Sequence, residues 1–155
     1  MCPDSLTVAW TNWRPPQKDI SKQYELRFYD DTFRDFSARI EWAEKGKGNR
    51  NPIVVVNRRS ESSPIHITAN KGEAIVLDAS DSFDPDGDTI EFKWWIQSDA
   101  GHCPQEVLLT TQDAKATLTI PSDKPCEIHV VCEVRDNGHI PLVGYKRIIV
   151  TNLDI

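Results

Sequence analysis

From residue 52 onward the chain alternates apolar and polar residues in short bursts, and ahead of it no such alternation occurs. The clearest burst is "TIEFKWWIQ" (residues 89–97). Successive strand residues point to opposite faces, so Ile90, Phe92, Trp94 and Ile96 share one side and Glu91, Lys93, Trp95 and Gln97 the other. Similar runs at 53–56, 65–69, 73–77, 107–111, 116–120, 127–135 and 143–151 are rich in Val, Ile and Thr. They are parted by turn chemistry such as "NKG", "DPDGD", "PSDKP" and "DNGHIP". Seven to eight short strands in about 100 residues predict an all-β fold, an immunoglobulin-like β-sandwich over residues 52–155. Before it, Phe33, Phe36, Ile40 and Trp42 recur at helical spacing behind Asp30 or Asp31, which are placed to cap a helix N-terminus. That helix should end in the polar linker "EKGKGNRNP". Residues 1–30, with Trp10, Trp13, Pro15 and Pro16, show no period and read as an irregular segment. The expected organisation is an irregular segment and one packed α-helix in 1–51, then the sandwich in 52–155.

Two adjacent tryptophans on one strand require two environments. The all-apolar face carrying Trp94 is the core face, packed on Ile128, Val130, Cys132 and Val134 of a neighbouring strand. Trp95 points outward, and on the neighbouring strands Val131, Tyr145 and Ile149 do the same. Such an apolar strip on an outer sheet face needs a partner. One reading has the helix cover it with Phe33, Phe36 and Ile40, which satisfies both apolar surfaces and gains on the order of 2–3 kcal/mol at Trp95. The other has Trp95 and Tyr145, with Trp42, form an aromatic platform for sugar rings. The covering helix is the favoured expectation.

The loop "DASDSFDPDGD" raises the question of a metal. Asp84, Asp86 and Asp88 follow the D-x-D-G-D pattern, and the loop "RDNGH" at the same end of a sandwich would bring Asp136 and Asn137 beside them. Calcium takes six to eight oxygen ligands, so Asp84, Asp86, Asp88 and Asp136 are the candidate calcium residues. An EF-hand would need a glutamate where Trp95 stands. The favoured alternative is a tight turn, with Pro85 presetting φ, Asp bonding nearby backbone and Gly87 taking φ > 0. No other cofactor is expected. His66, His102, His129 and His139 are scattered, and no serine or cysteine sits in a nucleophile-elbow context, so an enzyme is the outsider.

Composition narrows the partners. With 39% hydrophobic and 27% charged residues, the 155-residue chain reads as folded. A net charge of −6 argues against nucleic acid. No apolar run approaches the roughly 20 residues of a membrane span, and the first residues lack a signal-peptide core. Four cysteines (Cys2, Cys103, Cys126 and Cys132) match no metal spacing. Cys126 and Cys132 share a predicted strand about 20 Å apart, too far to bridge. A Cys103–Cys126 bridge and free thiols both remain open, and Cys132 is expected to be free.

The stretch "VLDASDSFDPDGDTIEFKWW", with "EVRDNGHIPL" and "RIIV", resembles the polycystic-kidney-disease-type branch of immunoglobulin-like domains. The ordered set "DFSARIEWA", "NRNPIVVVN", the acidic loop, "KWW" and "GYKRIIVT", from about Tyr24 to Thr151, is similar to the C-terminal region of a cellulose-binding, nucleoside-hydrolase-like protein family. The resemblance implies an accessory module behind a nucleoside-hydrolase-like domain, with a polysaccharide or that upstream domain as partner and an extracellular setting. The family's aspartate-rich hydrolase domain is not in this sequence, so no hydrolase activity carries over. The expected function is non-catalytic: binding a cellulose-like polysaccharide, or docking on the hydrolase-like domain. A purely structural or protein-interaction domain is the alternative.

Overall fold

The computed structural model describes residues 15–70, 72–103, 106–121 and 125–152, with the side chains of 15–20 and 24 left out of the description. Its spine is the pairing of β6 (Cys126–Asp136) with β7 (Val143–Asn152), the two longest strands. On one side β3 (Ile90–Ile96) joins β6 antiparallel, and on the other β1 (Ile65–Ala69) joins β7 in parallel. The second sheet is β2 (Ala74–Asp78), β5 (Lys115–Thr119) and β4 (Leu108–Gln112), in that order and antiparallel throughout. Among the described residues, seven strands in two sheets thus make the expected β-sandwich.

Alternation does what the pattern predicts. Trp94 stands opposite Cys132 in the register, and its ring is buried with Ile75, Leu77, Leu118, Ile128, Val130 and Val134. Its indole N–H donates to the Asp113 carbonyl at 3.2 Å, so the polar end of a core side chain is satisfied. Cys132 is a free, fully buried thiol, pushed up to about 12 by burial and by the neighbouring Glu133 charge. Residues 53–56 depart from expectation. Val54 and Val56 are core residues, but the stretch pairs only at isolated bridges, Ile53 with Phe83 and Val56 with Arg59. It alternates like a strand without joining a ladder. The next segment is tied down by Lys146, buried on β7, whose ammonium donates to the carbonyls of Glu61 and, at 3.0 Å, of Ser63.

The helix differs more. α1 runs from Pro15 to Lys45, so residues 15–30, expected to be irregular, are helical. Asp30 and Asp31 lie inside it and cap nothing. Proline is tolerated in a first turn because its missing N–H has no helical partner there. From Gln17 to Lys45 no further glycine or proline interrupts the chain. The helix ends at Gly46, at φ 67°, whose N–H bonds to the Trp42 carbonyl at 2.9 Å. The remaining expectation for residues 1–14 lies outside the described residues.

α1 does cover the strip around Trp95, but with the opposite face from the one expected. Phe28, Asp31, Asp35 and Ala38 turn inward; Ala38 is fully packed and the other three are half-buried. Phe28 meets Trp95 with ring centroids 6.2 Å apart and Tyr145 edge-on at 5.5 Å. Phe33 and Phe36, expected to do this, remain 57% exposed, and Ile40 is 44% exposed. At 3.6 residues per turn, Ile40 lies roughly 180° around the helix from Asp31. Polar anchors account for the rotation: Asp31 accepts from Arg135 at 2.8 Å and from the Tyr145 hydroxyl, and Arg27 pairs with Asp99 at 3.4 Å.

The two tryptophans should therefore respond differently to truncation. Trp94→Ala is expected to cost about 3–5 kcal/mol in urea unfolding, as for a large aromatic removed from a core. Trp95→Ala should cost less and raise amide exchange across α1 around Phe28. Equal losses with α1 still protected would contradict this packing.

Candidate functional site

Three surfaces bring candidate residues together. The first lies where α1 crosses the sheet. Trp95 and Tyr145 line a depression of about 500 Å³ with Asp30, Arg34, Lys93 and Glu133. The Trp95 ring is taken on one side by the Arg27 guanidinium, 4.9 Å from its centroid. Tyr145 is held above its ordinary pKa by burial and by the hydrogen bond its hydroxyl donates to Asp31. Trp42, the third candidate aromatic, is not part of this group. Its indole N–H donates to the Asn49 carbonyl at 3.2 Å, where the linker folds back on the end of α1. The three aromatics do not share one platform.

The second surface is the outer face of α1. Leu26, Tyr29, Phe33, Phe36 and Ile40 follow the 3-4-3-4 spacing that keeps side chains on one helical stripe. Tyr29 stacks on Phe33 at 5.5 Å and 30°, and Phe33 meets Phe36 at 6.5 Å. All five are exposed, from 44% at Ile40 to 64% at Leu26.

The third is the acidic loop. Asp84 Oδ1 accepts the N–H groups of Asp86 at 2.7 Å and Asp88 at 3.2 Å, an Asx turn, and Gly87 sits at φ 87°. The β6–β7 loop lies alongside, because Asn137 exchanges bonds with Thr89 through both its side chain and its N–H. Asp136 is buried and its Oδ1 gathers Asn49, Gly138 and Leu142. The two loops therefore meet, with Asp84, Asp86 and Asp136 all close enough for their charges to act on Asp88. Burial first, then the charges of Asp84, Asp136 and Asp86, push the Asp88 carboxyl above the usual carboxylate range. Asp84 Oδ2 and Asp136 Oδ2 are buried without a protein donor. Asp86 lies beside Asp84, Asp88 and Asp136 but its carboxylate is already engaged. Arg50 takes Asp86 through its backbone N–H at 2.8 Å and its guanidinium at 2.7 and 2.9 Å, and holds that carboxyl below the usual range. Among the described residues, no group of three or more His, Cys, Asp or Glu side chains stands in metal-holding geometry.

A depression of about 410 Å³ joins Asp86 and Asp88 to His139, Asn49 and the end of α1 at Glu41 and Lys45. Sequence reasoning missed Phe28, Asp31, Arg50 and Arg135. The first two were legible, since Phe28, Asp31, Asp35 and Ala38 repeat at helical spacing. The arginines were not, because their partners lie 36 and 104 residues away.

The opposite shifts of two neighbouring aspartates make a prediction. Asp86, depressed in the folded state, contributes stability at neutral pH that is lost as pH falls through the carboxylate range. Asp88, raised, costs stability when ionised and relieves that cost on protonation. In metal-free buffer at pH 7, Asp86→Asn should lower the melting temperature and Asp88→Asn should raise it. The difference should shrink as the pH falls below the carboxylate range, as followed by thermal unfolding across a pH series.

The profile of the family described as "Cellulose-binding protein Sde0182, C-terminal domain" matches residues 74–152. Among solved structures, the chain is similar to a nucleoside hydrolase-related hypothetical protein from Saccharophagus degradans that is associated with carbohydrate metabolism. The two share 31% identity at a TM-score of 0.79, over 82% of this chain and 32% of that one. This chain thus corresponds to about a third of its neighbour's length. No curated protein matches. Among the described residues, no helix is long and apolar enough to cross a membrane. The matched segment runs from β2 through β7 and carries the core tryptophan, the acidic loop and the spine of the larger sheet; this chain belongs to the family of the Sde0182 cellulose-binding protein C-terminal domain.

Proposed function

We propose that this chain is a non-catalytic accessory module of a carbohydrate-associated protein, and that the outer face of α1 docks on a nucleoside-hydrolase-like domain. The observation that carries this reading is the exposed stripe Leu26, Tyr29, Phe33, Phe36 and Ile40. A helix stripe so spaced ordinarily faces a partner, and here the sandwich is held by a different face. What supports the choice of partner is the Saccharophagus degradans neighbour, a nucleoside hydrolase-related chain with two-thirds of its length beyond the region of similarity. In this reading residues 1–51 form the docking arm and 52–155 the sandwich. The sandwich is of immunoglobulin type, in its polycystic-kidney-disease-like branch. Its orders β2-β5-β4 and β7-β6-β3 support that assignment, with the first strand carried to the β7 edge.

A second reading has its own support. The depression at Trp95 and Tyr145 combines aromatic faces with Asp30, Arg34, Lys93 and Glu133, the mixture of stacking and hydrogen-bonding groups that suits a sugar. The cellulose-binding description of the family favours it.

One experiment separates the two. Binding of this chain to the remaining two-thirds of the Saccharophagus degradans neighbour is measured by calorimetry, with retention on insoluble cellulose measured in parallel. Phe33→Asp combined with Phe36→Asp should weaken domain binding at least about 30-fold, as for hot-spot aromatics, and leave the fold intact because both rings are exposed. Lys93→Ala with Arg34→Ala should leave domain binding unchanged. Domain binding indifferent to the aspartates rejects docking by α1. Retention on cellulose that fails only in the Lys93 and Arg34 variant installs the sugar reading in its place.

A further inference from the structure

We propose that Cys103 and Cys126 form an oxidative modification site, a thiol pair placed to close a cross-strand disulfide between the segment after β3 and the start of β6. The placement follows from backbone pairing. His102 donates to the Glu127 carbonyl at 2.8 Å, and Glu127 donates back to His102 at 2.9 Å. The two residues are therefore a hydrogen-bonded antiparallel pair, and Cys103 and Cys126, one residue further along each segment, fall where the next, non-hydrogen-bonded pair would stand. Such pairs have Cα atoms about 4.5 Å apart with side chains on the same face. That spacing falls within the roughly 4.4–6.8 Å that a disulfide spans.

Gly101 makes the approach possible. A Cβ there would stand 2.6 Å from the Glu127 carbonyl oxygen, so any other residue would lift the segment off β6. Both cysteines join the same apolar cluster, Cys126 inside it and Cys103 packed against it. The Cys126 thiol is pushed up to about 12, by burial first and then by its hydrogen bond to Cys103. Cys132, six residues along β6 and opposite Trp94, is about 20 Å away at 3.3 Å per residue and does not compete.

The two sulfurs differ in access, which orders the chemistry. Cys103 lines a cavity of about 320 Å³ between the segment and β6, and Cys126 is buried behind it. With oxidised glutathione as the disulfide oxidant, the Cys103 thiolate attacks one glutathione sulfur. The glutathione S–S bond breaks, one glutathione thiolate leaves and takes up a proton, and a mixed disulfide remains on Cys103. Cys126 then loses its proton and attacks the Cys103 sulfur, releasing the second glutathione. Two S–H bonds and one S–S bond are lost, and one S–S bond and two S–H bonds form. The protein gives up two electrons and two protons to glutathione. The new bond closes residues 103–126, the segment that carries β4 and β5.

The whole chain, equilibrated in oxidised glutathione, alkylated and digested without reduction, should yield one linked pair of peptides joining Cys103 to Cys126. Its melting temperature should rise by roughly 5–12 °C over the reduced protein, the shift expected for a loop of this size in a chain of this length. Cys103→Ala, at a half-exposed position, should abolish both the link and the shift. Cys126→Ala should stop at a glutathione adduct on Cys103. Overturning results would be both thiols remaining open to alkylation in the oxidised buffer, or a link from either one to Cys2 or to a second chain.

Discussion

Everything distinctive about this molecule's surface depends on one half-buried contact: Asp31 of the helix against Arg135 and Tyr145 of the larger sheet. A carboxylate that receives a guanidinium and a phenol at the edge of an apolar sheet forms charge-assisted bonds, roughly twice as strong as neutral ones. The contact is directional, where apolar packing is not. Phe28 and Ala38 could slide or turn against the sheet at little cost, but Asp31 cannot turn away without leaving Arg135 half-buried beside Glu133 alone. The rotation of α1 is therefore set by a polar pair. The aromatic stripe faces outward as a result.

The sandwich beneath is organised by independent means. Trp94 and the aliphatic residues of β2, β5 and β6 supply its core, and the loops at the acidic end are latched through Asp136, Asn137 and Asn49. The latch is built largely from backbone donors meeting carboxylate and amide oxygens, so it holds a shape with few apolar residues. Arg50 supplies the positive charge that a run of aspartates needs, from a linker distant in sequence.

How much of this was legible follows from the range of each interaction. The alternation around Trp94 and along β6 is local, and the strands came out within a residue or two of expectation. The turn chemistry of Asp84, Pro85 and Gly87 is local too, and the observed Asx bonds are of the kind it predicts. Residues 53–56 show the limit of the pattern: alternation reports which side chains are buried, and ladder pairing depends on what lies alongside. The helix was misread twice. Its start was hidden because aromatic and proline residues near Trp13 obscured the period. Its orientation escapes the pattern because an apolar stripe is expected to seek the nearest sheet, whereas hydrogen-bonding partners in Arg135 and Tyr145 compete for the same surface.

α1 itself has a mechanical consequence. Thirty-one residues at 1.5 Å each make a rod of about 46 Å. The ring of anchors formed by Arg27, Phe28 and Asp31 grips it near mid-length. A body carried on the outer stripe would ride on a stiff spar whose azimuth is set at that one ring. Loosening the ring would leave the two bodies joined but let the heading of one drift relative to the other. Aim, more than affinity, is what those few polar atoms govern.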